Sequence, residues 1–243
     1  MANKYVDFIS DEDFLKEVKI VIEKYMLVPE YESNEEILKH SENTTDEFKL
    51  LYDVYINNLN LSEWKEAEII RQRGKKSEMA IGEFHQHILG HVDGWIDLQQ
   101  GHKTGLDLMN EEGTIFIEIK NKVNTTNSGS GKTVFNKLKK VIEENPNAVA
   151  YWGYIVSKNY KNEDRLWQYH ENTDERIRRI GGKKVYELVT GDPESLEKTH
   201  KALPIAIKDI LVKYYGYDEE KLQLSSEDED LLNRFRDFIF KKD

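Results

Sequence analysis

From Thr114 to Lys122 the sequence reads TIFIEIKNK, and this period of two constrains the fold more than any other feature of the chain. Side chains alternate across a strand, so Ile115, Ile117 and Ile119 share one face while Phe116, Glu118 and Lys120 share the other. TGLDLMN alternates in the same way just before it, and the intervening NEEG suits a hairpin turn. An antiparallel pair is therefore expected here.

The surroundings follow a different period. DEDFLKEVKIVIEKYM sets Phe14, Val18, Val21, Ile22 and Tyr25 at helical spacing, with Pro29 as its end. TTDEFKLLYDVYINNL and SEWKEAEIIRQRG predict two more helices, with Thr45 or Ser62 able to cap and Gly74 able to terminate. SEMAIGEFHQHILG adds a helix with Met79, Phe84 and Ile88 on one side. After the hairpin, a helix is expected from about Thr133 to Glu144, closed by Pro146. AVAYWGYIVS reads as a strand buried on both faces, with Tyr151, Trp152 and Tyr154 in the core, and KKVYELVTG reads as a further strand. DPESLEKTHKALPIAIKDILVKYY predicts a long helix capped by Asp192 or Ser195 and interrupted near Pro204. This order predicts an α/β sandwich around a mixed sheet. The expected divisions are an N-terminal helical region over 1–74 packed on the core, a core over 75–216 and an acidic helical tail over 217–243, together one compact domain.

Charge bears on the partner. The chain of 243 residues carries a net charge of -11, which by itself opposes contact with phosphates. Residues 1–70 hold 7 Lys and Arg against 17 Asp and Glu, and residues 217–243 hold 5 against 9, which leaves the middle with 23 against 20. Between Phe116 and Lys140, the lysines 120, 122, 132, 137, 139 and 140 face only Glu118. That run makes a local basic surface or, in its second part, a solvated helix face. The absence of cysteine excludes disulfides, thiolate-bound zinc and a cysteine nucleophile, so any metal is held by oxygen or imidazole. No run of about 18 apolar residues and no basic-then-apolar leader occurs, and a cytoplasmic protein is expected.

Two phosphate chemistries compete for Ile115 to Thr133. Gly131, Lys132 and Thr133 end like a phosphate-binding loop, but the glycine required five positions earlier is Thr126. A flexible loop whose Thr133 caps the next helix is the preferred account. The strand offers the other chemistry. Glu118 and Lys120 project together, and Asp107 on the preceding strand can be brought to the same site. Two adjacent carboxylates repel unless a cation lies between them, and oxygen ligands of this type suit Mg2+. An ion so held polarises a phosphodiester and activates water, and the lysine orients that water or neutralises developing charge. Glu-x-Lys on a strand is also an ordinary salt-bridge pattern, so the spacing alone leaves both accounts open.

Asp107, Glu118 and Lys120 resemble the PD-(D/E)XK nuclease motif. The run FIEIKNKVNTTNS, with GEFHQHILG, GWIDL and TGLDL, is similar to type II restriction endonucleases of the SinI type, which cut GGNCC or GGWCC sites. The resemblance covers roughly residues 75–215. It implies a restriction-endonuclease-like α/β/α core with a central mixed β-sheet plus the N-terminal helical region. It also implies a Mg2+-dependent homodimer that cuts both strands of a short palindromic DNA duplex, leaves 5' phosphates and has a cognate DNA methyltransferase as its genetic partner. By position, Asp107 and Glu118 would be the metal ligands, Lys120 would handle the attacking water, and Glu83 would match an additional acidic residue. The proline expected before the aspartate is Leu106.

Asn121, Lys122, Asn124, Thr125, Thr126 and Asn127 form a polar run past the strand, and with Lys132 they supply candidate contacts to phosphates or base edges. Arg176, Arg178 and Arg179 are further candidates. His87 and His91 share a helix face from which His85 points away, and no acidic residue completes a metalloprotease motif, so packing or phosphate contact is expected of them. Two other functions remain open at this stage, a repair or structure-specific nuclease of the same fold and a catalytically inactive DNA-binding module.

Overall fold

The computed structural model describes residues 3–26, 46–99, 101–122, 128–156, 162–169 and 173–240. Pro29, Thr45, Asn124, Thr125, Thr126 and Asn127 lie outside the described residues. The chain forms two compact units, residues 20–81 and residues 1–19 with 82–243. No helix among the described residues is long and apolar enough to cross a membrane.

Helix α1 (Asp11–Met26) agrees with its apolar spacing. In α2 (Glu47–Asn57), the Asp46 carboxylate accepts from the N–H groups of Phe48 and Lys49 at 3.0 and 3.2 Å. In α3 (Leu61–Gly90), Asn60 accepts from Ser62 and Glu63 at 2.9 and 3.0 Å while the Glu63 carboxylate accepts the Asn60 N–H at 2.8 Å, a reciprocal cap. Ser62 is thus already inside the helix. Gly74 does not end it either. A helix-interior glycine costs only about 1 kcal/mol relative to alanine, and the two patterns on either side of Gly74 run together as 30 residues.

The sheet has the order β1-β2-β3-β4-β6-β5. Strands β1 (Trp95–Asp97), β2 (Leu108–Asn110) and β3 (Ile115–Lys122) pair antiparallel, as the alternation predicts for the last two. After β3, helix α4 (Ser128–Glu144) crosses over to β4 (Val149–Val156), parallel to β3. The helix begins five residues before the expected start, so Thr133 is an interior residue and does not cap it. Strand β6 (Ile177–Gly181) adds in parallel, and β5 (Asp164–Leu166) closes the edge antiparallel. Mixed pairing is thus present, as expected.

KKVYELVTG is not a strand. Lys183–Thr190 forms helix α5, because Val185, Tyr186 and Val189 fall on one helical face and are buried, and Gly191 at φ +74° closes the helix by donating to Glu187 O at 2.9 Å. The strand lies just before it, in Ile177–Gly181. Helix α6 (Ser195–Tyr215) runs through Pro204 without interruption, since its buried face of Leu196, Thr199, Ala202, Ala206 and Ile210 continues on both sides. Its N-cap residue is Glu194, whose N–H the Asp192 carboxylate accepts at 2.9 Å, while Ser195 is the first residue inside the helix. A 3-10 turn (Glu219–Leu222) and α7 (Ser226–Phe240) follow.

Helices cover both faces of the sheet. On one, Val134, Phe135, Leu138, Val141 and Ile142 of α4 pack in a cluster with Phe116, Ala150, Trp152, Trp167 and Ile177. Each Val, Leu, Ile or Phe among them, fully removed from water, contributes roughly 1.5–3 kcal/mol before the entropic cost of ordering it. On the other, the Cβ direction of Gly153 meets Ile117 Cγ2 at 3.2 Å and Val185 Cγ2 at 3.5 Å, so α5 approaches the central strand where a larger residue would intrude.

Candidate active site

The α4 face of the sheet carries the charged centre. Asp107, just ahead of β2, is held by its backbone from both sides, donating its N–H to Ile117 O at 3.1 Å and accepting from Leu98 N–H at 2.9 Å. Its Oδ2 accepts the Ile119 N–H at 2.6 Å, which fixes the carboxylate beside Glu118. Glu118 is 3% exposed. Its Oε1 accepts from Lys120 Nζ at 2.7 Å. Its Oε2 is buried and takes no hydrogen bond among the described residues. Burial, then the charge of Glu118, pushes the Asp107 pKa well above the ordinary aspartate value, against the opposing pull of Lys120, the Ile119 N–H and Lys137.

A buried carboxylate oxygen with no hydrogen bond among the described residues, next to a second carboxylate that resists ionisation, is a donor set that fits a hard divalent cation. Asp107 and Glu118 are the residues that would hold it. Among the described residues no group of three or more His, Asp or Glu is gathered at one point where it could hold a metal ion. Glu83 sits on α3 one residue past Gly82, whose Cβ direction faces Asn121 Cβ at 3.9 Å, and its charge helps to raise the pKa of His87.

The spacing did not single out Lys137. This α4 residue stands 3.5 Å from Glu118 Oε2 and donates to Gly105 O at 2.6 Å. Its signal was membership of the basic run, and nothing in the sequence separated it from Lys139 and Lys140. Those two pair along the helix with Glu143 and Glu144 at 3.9 and 3.8 Å, the solvated face that a lysine run can also form. Asn121 and Lys122 end β3 half-buried, and Lys132 is exposed on α4. Gly131, Lys132 and Thr133 are helical, so no phosphate-cradling loop is formed by them.

Next to Glu118 across the sheet come Trp152 and then Arg179, in register. The Arg179 guanidinium lies over the Trp152 and Tyr154 rings at 4.6 and 4.9 Å and pairs with Glu163 at 2.9 Å. Arg178 bonds Asp164 at 2.7 Å, and Arg176 reaches Asp174, Ile142 O and Pro146 O, each at 3.0 Å. All three arginines are therefore engaged within the protein.

The histidines serve packing. Buried His85 meets the Tyr186 hydroxyl at 2.7 Å, and burial lowers its pKa to about 4. His87 Nδ1 and His91 Nε2 lie 3.0 and 3.1 Å from the two oxygens of Glu17 on α1, which is 3% exposed. Asp97, Asp13 and Lys16 stand at 3.7 Å from His87, His91 and Glu17 respectively. Burial alone would raise the Glu17 pKa, but the two imidazole hydrogen bonds reverse this and take it to about 2, while Glu17 raises that of His87. The Glu17 contribution is complete above its unfolded value and is lost as pH falls toward about 2. The His87 contribution is complete below its unfolded value and is lost as pH rises through the raised one. Glu17→Gln is therefore expected to destabilise the protein most, by about 1–3 kcal/mol, between about pH 5 and 6.5, with the deficit shrinking in stronger acid. Thermal melts of both proteins across pH check this, and a pH-independent deficit would refute it.

The family model described as Eco47II restriction endonuclease matches residues 6–212, which include the whole of this centre. The chain is 31% identical over 221 residues to the type II restriction enzyme Sau96I of Staphylococcus aureus, covering 86% of this chain and 82% of that protein. It is likewise 31% identical over 226 residues to the type II restriction enzyme Eco47II of Escherichia coli, covering 87% of this chain and 90% of the relative.

Proposed function

Because the chain belongs to the Eco47II restriction endonuclease family, we propose that it is a Mg2+-dependent homodimer that cuts both strands of duplex DNA at a short palindromic site of the form GGNCC or GGWCC. One observation carries the catalytic part of this reading, the buried Glu118 oxygen beside Asp107 that takes no hydrogen bond among the described residues. A divalent ion held by Asp107 and Glu118 supplies polarisation of the phosphodiester and activation of water. Lys120 Nζ, anchored on Glu118 Oε1, orients the attacking water and offsets negative charge as it builds on the phosphoryl oxygens. Water adds at phosphorus, the bond to the 3' oxygen breaks, and the products are a 5' phosphate and a 3' hydroxyl. Asn121, Lys122 and Lys132, with Asn124, Thr125 and Asn127 beyond the described residues, are the proposed DNA contacts. A palindrome read by two identical subunits accounts for the dimer, and a cognate methyltransferase as genetic partner would shield the host's own copies of the site.

The test is incubation of the protein with a plasmid of known sequence, with Mg2+ and with EDTA, followed by mapping of the ends. Discrete Mg2+-dependent fragments ending at GGNCC or GGWCC are expected. A smear would point to a structure-specific nuclease, and intact DNA with a gel shift to an inactive binding module.

A further inference from the structure

The two oxygens of Glu118 face two different lysines. Lys120 takes Oε1 from within β3 at 2.7 Å, whereas Lys137 approaches Oε2 from α4 at 3.5 Å. The turn before Asp107 is shaped around the second lysine. Gly105, at φ +63°, has its Cβ direction occupied by Lys137 Cε at 3.3 Å, and its carbonyl accepts from Lys137 Nζ at 2.6 Å. Only glycine adopts that backbone readily and leaves that room. Lys137 lies on α4 among Val134, Leu138 and Val141, all buried, its stem passes Gly105, and its ammonium reaches the carboxylate.

We propose that Lys137 is the internal counter-ion of the divalent-metal position, neutralising Glu118 Oε2 when no metal is present and weakening metal binding until DNA arrives. The inference rests on the reading of Asp107 and Glu118 as the metal-holding pair. The charge balance supports it. Two carboxylates and two lysines cancel, so a divalent ion entering alone leaves two positive charges in a partly buried site. A scissile phosphodiester removes one of them. Metal and DNA therefore bind with positive coupling, and Lys137 supplies part of it. As a positioning residue it acts through Glu118, and its loss makes DNA-free metal binding tighter, the opposite of what structural damage does.

The experiment is a titration of DNA-free full-length protein with Mn2+, following free Mn2+ by electron paramagnetic resonance, for the wild type, Lys137→Met, Lys137→Gln and Glu118→Gln. Thermal melts establish folding of each. Both Lys137 variants are expected to bind Mn2+ at least on the order of tenfold more tightly, the scale of one unit charge a few ångströms from a divalent ion under water-like screening. The tightening caused by added DNA should shrink correspondingly. Unchanged or weaker Mn2+ binding in Lys137→Met and Lys137→Gln overturns the proposal while leaving the site intact. Weaker binding in Lys137→Met alone assigns the residue to bracing Gly105 and also overturns it. If Glu118→Gln leaves Mn2+ binding unchanged, the metal is not held here, and both the proposal and the reading it rests on fail.

Discussion

Glu118→Gln is expected to lower DNA cleavage by roughly a thousandfold or more, in a protein that still folds and still binds DNA. Glutamine keeps the shape of the side chain and can still accept from Lys120, whose ammonium sits 2.7 Å from Oε1, but it removes the negative charge that would hold a cation. The variant therefore separates two accounts of the same geometry. If Glu118 and Lys120 form only a salt bridge in an inactive DNA-binding protein, the substitution costs some stability and changes no chemistry. Single-turnover cleavage, measured beside a gel shift under identical salt, reads the difference. Near-normal cutting by the folded variant would remove Glu118 from the active centre.

Lys120→Met is the second large effect. Cleavage is expected to fall roughly 100- to 1,000-fold, the loss typical of removing one group aimed at developing charge. The change should appear in kcat with little movement of KM, because the ammonium acts where charge builds up and not in ground-state contact with DNA. Mn2+ binding is expected to survive, since both carboxylates remain. A variant that cleaves normally, or that fails only through loss of metal, would assign Lys120 the lesser role of a partner for Glu118.

Strong local patterns placed most of the fold. The heptad-like spacing in Asp11–Met26 and the alternation in Ile115–Lys122 each point to one structure, and the charged residues that alternation aligns are the ones that meet beneath α4. Resemblance to type II restriction endonucleases is borne out by the family match. Val185, Tyr186 and Val189 show where local reading failed. Their β-branched and aromatic character suits a strand, while the spacing from Val185 to Val189 and the glycine at 191 spell a helix, and burial against the sheet settles the contest. Arg176, Arg178 and Arg179 are candidate DNA contacts by sequence, and in the fold each has an acidic partner within the protein. Lys137 was beyond reach for another reason. Its meeting with Glu118 depends on the phase at which α4 crosses the sheet, and no local pattern encodes that phase.

Among the described residues the sheet is bordered by two strands of three residues, Trp95–Asp97 and Asp164–Leu166. A border of three residues presents an incoming strand with only roughly two main-chain hydrogen bonds, too few to hold a neighbour. A second copy therefore gains little hold by pairing with either of these described borders. On this account the two-fold axis of the proposed dimer would pass through helices or loops, and the distance between the two cuts would then be set by how side chains pack across that axis.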